Sequence, residues 1–286
     1  MRVVDHMSAA LGVVAEGADL RSPTPEMIDQ LSELLDRHLV VAIRGQRLTE
    51  SEHMAVTSAL GTPWIHPIDR LRGKASAEPV TVEATSDEPL GTDSWHVDFP
   101  YLPSPPSIGI LNAIEVPSYG GDTMWLNLQL AYERLPDRIR ADLDGVGVNH
   151  SIGEFFLDRY AGGDPMLRAL WKRVCVGNTH PVVRAHPRTG KPSVYTLDAQ
   201  AELVGFEGSD PARLMAELVE RSTSLNFTCR WRWHEGDVVF YDQAATFHRL
   251  IIDPWPGVRR MRRTLVEGQP PTAYEPAIAV SSAKAE

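Results

Sequence analysis

Short β-branched and aromatic runs, each closed within a few residues by Gly, Pro or Asp, constrain this 286-residue chain more than any other feature. They lie at 107–116, 194–197, 227–233, 238–241 and 263–266, and punctuation of this kind marks short strands rather than long helices. The longest apolar runs, 39–43 and 238–241, fall far short of the roughly 20 residues a bilayer-spanning helix needs, so no membrane span is expected. Helices interrupt the strands. Thr24-Pro25 followed by Met27, Ile28, Leu31, Leu34 and Leu35 supplies an N-cap, a Pro at the first helical position and an apolar stripe to about Arg37. Thr49-Glu50-Ser51-Glu52 is a capping box that opens a second helix ending at Gly61. Helical patterns recur at 126–135, 165–174 and 210–222, while residues 62–93 lack a sustained period and read as loops with one strand near 80–82. With no internal repeat, low-complexity tract or Gly/Ser linker, one domain over residues 1–286 is expected, with a poorly packed tail from about 270.

Charge narrows the partners. Lys plus Arg is 28 against 38 for Asp plus Glu, a net charge of -10, so neither nucleic acid nor an anionic membrane surface is expected as the main partner. The first thirty residues carry Asp5, Glu16 and Asp19 with no basic stretch leading into an apolar run. No secretory leader is therefore expected, and the cytoplasm is the expected compartment. The two cysteines, Cys175 and Cys229, have neither the count nor the spacing of a disulfide framework or thiolate zinc site and are expected to be buried small apolar groups. Any metal must then be held by nitrogen and oxygen.

Trp95-His96-Val97-Asp98 offers that chemistry, because residues i and i+2 of an extended segment point to the same side. His248, just after the strand-like residues 236–241, is available as a third ligand. Two histidines and one carboxylate form the facial triad that leaves positions open on Fe(II) for O2 and a co-substrate. Ten histidines in the chain make a chance His-X-Asp pair common, so the pair needs support. Arg259-Arg260-Met261-Arg262-Arg263 supplies it. Such a run is ordinarily a solvated basic stretch, but alternation on a strand puts Arg259, Met261 and Arg263 on one face, and a guanidinium beside an open metal site can clamp a carboxylate with two parallel hydrogen bonds.

At this point the chain resembles the taurine dioxygenase (TauD/TfdA) family of Fe(II)- and 2-oxoglutarate-dependent dioxygenases, from about Ala15 to Gly268. The resemblance is carried by Trp95-His96-Val97-Asp98, by Pro117-Ser118-Tyr119-Gly120-Gly121-Asp122-Thr123-Met124-Trp125, and by His180-Pro181-Val182-Val183-Arg184-Ala185-His186-Pro187 with Gly190-Lys191. Trp231-Arg232-Trp233-His234-Glu235-Gly236-Asp237-Val238-Val239 and the Arg259–Arg263 run with Gly268 complete it. It implies that His96, Asp98 and His248 bind iron and that Thr123 and Arg259 hold the distal carboxylate of 2-oxoglutarate. It also implies that His66 and Arg263 hold an anionic group of the substrate. Asp69 and Thr92 stand where the family usually has Tyr and Asn, which puts taurine itself in doubt, and Asp69 favours a substrate bearing an amine. Phe156 and Tyr195 match positions lining the family's substrate pocket. Tyr241-Asp242-Gln243-Ala244 departs from the family's Trp-Asp-Asn-Arg, and Phe99-Pro100 from its Val-Thr, making the wall beside Asp98 more apolar. His180 and His186 read as parts of a scaffold loop, with Arg184 bracing that loop or 2-oxoglutarate.

The implied fold is mainly β with helices, a double-stranded β-helix or jelly-roll, cupin-like core. The implied function is oxidation of an aliphatic C–H of a small anionic or zwitterionic substrate with Fe(II), 2-oxoglutarate and O2, giving succinate and CO2. A sulfonate or sulfate ester would release sulfite or sulfate, whereas an amino acid or natural product would give an alcohol or alkene. Family members are commonly dimers or tetramers, so a homo-oligomer is expected. The rival reading is a non-catalytic metal- and ligand-binding jelly-roll module, which would consume no 2-oxoglutarate.

Overall fold

The computed structural model describes residues 1–87, 93–175, 177–195 and 202–275. In chain order it forms β1 (Arg2–His6), β2 (Val13–Glu16), α1 (Pro25–His38), β3 (Val40–Ile43), α2 (Glu50–Leu60), α3 (Pro67–Leu71), β4 (Val80–Ala84), β5 (Ile108–Glu115) and β6 (Thr123–Asn127). There follow α4 (Leu128–Glu133), α5 (Asp137–Asp142), β7 (Gly147–His150), α6 (Glu154–Ala161), α7 (Pro165–Val174), β8 (Asn178–Pro181), β9 (Val183–Ala185), β10 (Pro192–Val194) and β11 (Glu202–Val204). The chain closes with α8 (Pro211–Ser222), β12 (Thr228–Trp231), β13 (Val238–Asp242), β14 (Thr246–Leu250), β15 (Arg259–Val266) and β16 (Thr272–Ala273).

A seven-stranded sheet in the order β1-β2-β3-β13-β5-β15-β4 lies opposite a three-stranded sheet, β12-β6-β14. Pairing is antiparallel throughout except between β2 and β3. Val40, Ala42, Leu111, Val239, Tyr241 and Met261 of the large sheet pack against Trp125, Cys229 and Trp231 of the small one, and these facing layers are the barrel interior. The alternate residues Val41, Ile43, Ile110, Val238 and Phe240 turn outward onto Met27, Ile28, Leu31 and Leu35 of α1 and Val56 of α2. Because β3 and β13 are covered on both faces, their sequences are continuous apolar runs rather than alternating ones.

Local chemistry sets the helix boundaries. Thr24 accepts from the Met27 amide, and Thr49 and Glu52 form the reciprocal capping box. Two sequence expectations need correction, and one strand was not anticipated. The helix expected at 126–135 begins only at Leu128, since Asn127 caps it by accepting from the Gln129 and Leu130 amides and the residues before it form β6. Residues 246–250, polar enough to hide their pattern, form β14 through pairing with β6. Of the expected tail, residues 272–274 are tied to the fold, because β16 pairs with β9 and the Tyr274 amide donates to the Val183 carbonyl, and residues 276–286 lie outside the described residues. The strand expected at 194–197 overlaps β10 only at its start, and its residues 196 and 197 lie outside the described residues. Among the described residues no helix is long and apolar enough to cross a membrane.

Candidate metal and co-substrate site

His96 and His248 are neighbours because their backbones pair. The His96 amide donates to the His248 carbonyl at 3.0 Å and the His248 amide to the His96 carbonyl at 2.8 Å, an isolated antiparallel bridge beside the small sheet. The imidazole centroids lie 4.2 Å apart. Asp98, two residues on, is held by its amide donating to Gln243 Oε1 at 3.0 Å. One ligand atom from each of His96, Asp98 and His248 lies within 4.8 Å of the others.

The donor set fits an iron ion. His96 Nδ1 donates to the Ser94 carbonyl at 2.8 Å, which leaves Nε2 with its lone pair free. His248 is buried and its Nδ1 has no partner. Burial, with the His96 and Arg263 charges adding to it, lowers the His248 pKa to about 3, so the ring is neutral and ready to coordinate. Burial pushes the Asp98 carboxyl up, but Arg263, the two imidazoles and the Tyr241 hydroxyl outweigh it and hold the group below the usual carboxylate range. Asp98 Oδ1 accepts from Arg263 Nη1 at 2.8 Å and Oδ2 from the Tyr241 hydroxyl at 3.3 Å.

Thr123 lies on β6, paired with Leu250, while Trp125 pairs with His248. Residues two apart on a strand share a face and sit about 7 Å apart, so Thr123 stands one ladder step from His248 on the same face. Its oxygen accepts from Trp233 Nε1 at 3.0 Å and from Arg259 Nη2 at 3.1 Å, so its own proton is directed elsewhere. Arg259 Nε also donates to the Gly121 carbonyl at 2.9 Å. Gly120 and Gly121 both have positive φ, 77° and 65°, and a Cβ at Gly121 would stand 3.2 Å from Arg259 Cδ, so the turn before Thr123 requires glycine twice. Burial lowers the Arg259 pKa to about 10, against the opposing charge of Asp122. A buried cation with only neutral oxygens as hydrogen-bond partners is a receptor for a carboxylate.

Arg263 lies four residues further along β15, about 13 Å on the same face, so one guanidinium reaches Thr123 and the other Asp98. His66 caps α3, its Nδ1 accepting from the Ile68 amide at 3.1 Å. That contact fixes the tautomer with the proton on Nε2, which is buried and partnerless. Burial, offset by Asp69 and reinforced by Arg263, lowers the His66 pKa to about 4. His66, Asp69 and Arg263 line one narrow cleft of about 50 Å³.

Two expected pocket residues fall differently. Tyr195 is fully buried in the core between β10 and α4, its ring 3.6 Å under the Arg184 guanidinium and 4.9 Å from His150. It therefore walls the scaffold rather than the cleft, since Arg184, itself bonded to the Gln243 carbonyl at 2.6 Å, pins it there. Phe156 instead stacks on Tyr160 at 6.0 Å, in an aromatic cluster reaching Phe99 and Trp64. Thr92 lies outside the described residues. His180 donates to the Pro100 and Leu102 carbonyls and His186 pairs with Asp242 at 2.9 Å, both in scaffold contacts. Asp36, His186 and Asp242 also cluster, but Arg188 already bonds both carboxylates and fills that place with its own cation. Sequence reasoning missed Trp233, Gln243 and Tyr241 as partners of the site. Each lies in a quoted motif, but only pairing across the barrel shows what it touches.

A family model described as Taurine catabolism dioxygenase TauD, TfdA family matches residues 5–265. The chain is 30% identical to an alkylsulfatase of Acinetobacter baylyi over 94% of its length and 84% of that protein. It is 29% identical to an alpha-ketoglutarate-dependent sulfate ester dioxygenase of Pseudomonas putida, over 96% of this chain and 90% of that one. A crystal structure of a taurine dioxygenase from Burkholderia xenovorans superposes with a TM-score of 0.76 at 30% identity, covering 95% of this chain and 92% of that chain. The chain therefore belongs to the TauD/TfdA family, the oxidoreductases that act with Fe(II), 2-oxoglutarate and O2 on small molecules, and its paired sheets are that family's jelly roll.

Proposed function

We propose that this dioxygenase oxidises the aliphatic C–H next to the ester oxygen or sulfur of a small sulfate ester or sulfonate. The observation that carries the reading is the placement of Arg259 and Arg263 on one face of β15, the first bonded to Thr123 and the second to Asp98. His96, Asp98 and His248 would hold iron. Thr123 and Arg259 would take the distal carboxylate of 2-oxoglutarate. Bound together, Fe(II), 2-oxoglutarate and O2 supply the oxidant that attacks an unactivated C–H and leave succinate and CO2. The protein's own part is to orient and to exclude water. Arg263, tied to Asp98 by Nη1, would offer its remaining donors to a substrate anion, and His66, whose buried Nε2 has no partner, lines the same cleft and would supply a second donor. Hydroxylation beside the heteroatom then collapses to an aldehyde with sulfate or sulfite as the leaving group. The sulfate-ester and taurine names of the relatives support an oxidised-sulfur anion.

The test begins anaerobically. Fe(II) and 2-oxoglutarate added to metal-free protein should give the visible charge-transfer band of the chelate, lost in His96→Ala. Aerobic incubation with hexyl sulfate should then yield succinate, sulfate and aldehyde in equal amounts. A folded protein with no band and no succinate would be the non-catalytic binding module instead. The family habit also supports a cytoplasmic homo-oligomer, a dimer or tetramer, which light scattering on the purified protein would size.

A further inference from the structure

We propose that Asp253 is a positioning residue for 2-oxoglutarate, and that Arg230 locks it in place from the surface of the barrel. The proposal rests on the reading of Thr123 and Arg259 as the clamp for the distal carboxylate. Arg259 is aimed by two oxygens, the Thr123 hydroxyl at 3.1 Å from Nη2 and the Gly121 carbonyl at 2.9 Å from Nε. Thr123 is anchored in β6, with Trp231 on one side and Leu250 on the other. Gly121 belongs to no strand. It lies in the turn before β6 with φ 65°, where a residue without a side chain keeps wide rotational freedom unless an outside group holds it. Asp253, from the segment between β14 and β15, is that group, since its Oδ1 accepts from the Gly121 amide at 3.0 Å.

Gly121 is thus gripped on both sides, its amide by Asp253 and its carbonyl by Arg259. The approach is close. A Cβ at Gly120 would stand 2.9 Å from Asp253 Oδ1 and 2.9 Å from Cβ of the buried Trp255. Asp253 is itself fixed. Arg230 of β12 donates from Nη2 to Asp253 Oδ2 at 3.1 Å and from Nε to Asp122 Oδ2 at 2.6 Å, bridging that segment to the residue between Gly121 and Thr123. The backbones are tied as well, the Ile251 amide donating to the Asp122 carbonyl at 2.8 Å. One half-exposed guanidinium therefore joins three segments of the chain, and the buried Arg259 lies at the end of that connection.

The bridge also acts through charge. Asp122 is buried and stands near enough to Arg259 for its charge to oppose the lowering of that group's pKa. Two carboxylates beside an anion receptor repel an incoming dicarboxylate, and the Arg230 cation bonded to both offsets that repulsion. Arg230 therefore contributes twice, by holding Asp253 against the Gly121 amide and by masking Asp122 and Asp253.

Calorimetric titration of 2-oxoglutarate into the Mn(II)-loaded protein tests this, together with backbone hydrogen exchange of residues 117–123 in the protein without ligand. Asp253→Ala should raise the 2-oxoglutarate Kd about tenfold, the scale of one lost hydrogen bond, while the Mn(II) Kd moves less than about threefold. Exchange at 117–123 should quicken in the same variant and stay as in the parent along β13. Asp253→Asn keeps an acceptor for the Gly121 amide and should lie within about threefold of the parent. Arg230→Met, which unmasks both carboxylates, should raise the Kd about threefold at low ionic strength and less at about 0.5 M salt. Parent-like 2-oxoglutarate affinity in Asp253→Ala, Asp253→Asn as weak as Asp253→Ala, or an equal loss of Mn(II) affinity overturns the positioning role. Arg259→Met separates that failure from failure of the clamp. If it too binds 2-oxoglutarate like the parent, the clamp falls and the proposal with it; if it binds weakly, only the positioning role is lost.

Discussion

Replacing Arg259 by Met separates a residue that holds the fold from one that holds a ligand. The guanidinium is 6% exposed, donates to two neutral oxygens, and has no carboxylate at ion-pair distance among the described residues. Burial lowers its pKa to about 10. At 1.36 kcal/mol per unit this is a cost on the order of 3 kcal/mol for keeping it charged in the fold. A base with a depressed folded pKa gains stability only as pH rises past about 10 toward its unfolded value, so at pH 7 the full cost stands. Methionine removes that cost and gives up two hydrogen bonds, each worth about 1 to 2 kcal/mol. The ligand-free variant should therefore unfold within about 1 kcal/mol of the parent. Binding of 2-oxoglutarate should weaken by at least about 2 kcal/mol, some thirtyfold, because a buried charge loses its partner. Thermal melts of Mn(II)-loaded protein with and without 2-oxoglutarate read both quantities. At a ligand concentration 100 times the parent's Kd the parent gains about 2.7 kcal/mol and the variant under about 1. A variant destabilised by more than about 3 kcal/mol without ligand, or one whose Kd stays within threefold of the parent's, would refute the reasoning.

Three further outcomes are expected. Burial lowers His53 and His150 to about 3, so both are neutral in the fold and take up protons on unfolding below 6.5. Stability should be intact above pH 6.5 and fall toward pH 3, and His53→Gln should remove about 1.4 kcal/mol of the loss between pH 5.5 and 4.5 in urea titrations of metal-free protein; an unchanged slope counts against it. In Gly109→Ala, the new Cβ would stand 2.0 Å from Tyr241 Cζ, and the variant should lose roughly 3 kcal/mol or more, with the double variant Gly109→Ala/Tyr241→Leu more stable than Gly109→Ala alone; additivity of the two changes would show that they do not collide. Tyr241→Phe, which keeps the ring and deletes the hydroxyl on Asp98 Oδ2, should weaken Co(II) binding by about tenfold with an unchanged circular dichroism spectrum, and equal affinity would mean the hydroxyl does not orient the ligand.

The sequence by itself determined whatever is local in cause. Thr24 and the Thr49-Glu52 pair decide where α1 and α2 begin, because caps act within one turn. The apolar runs at β3 and β13 and the grouping of His96, Asp98, Thr123 and the arginines of β15 into recognisable motifs were legible in the same way. Only the tertiary structure decided which residues meet. His96 and His248 stand side by side because two distant backbones exchange amides, and β14 exists because β6 pairs with it. Tyr195 sits beneath Arg184 in the core, while Trp64, Phe99, Tyr160 and Trp171 line up although nothing in their spacing connects them. The physical reason is common to all of these. A strand's partners, the desolvation of a buried charge and the stacking of rings are set by neighbours far away in the chain, and no pattern within a few residues encodes them.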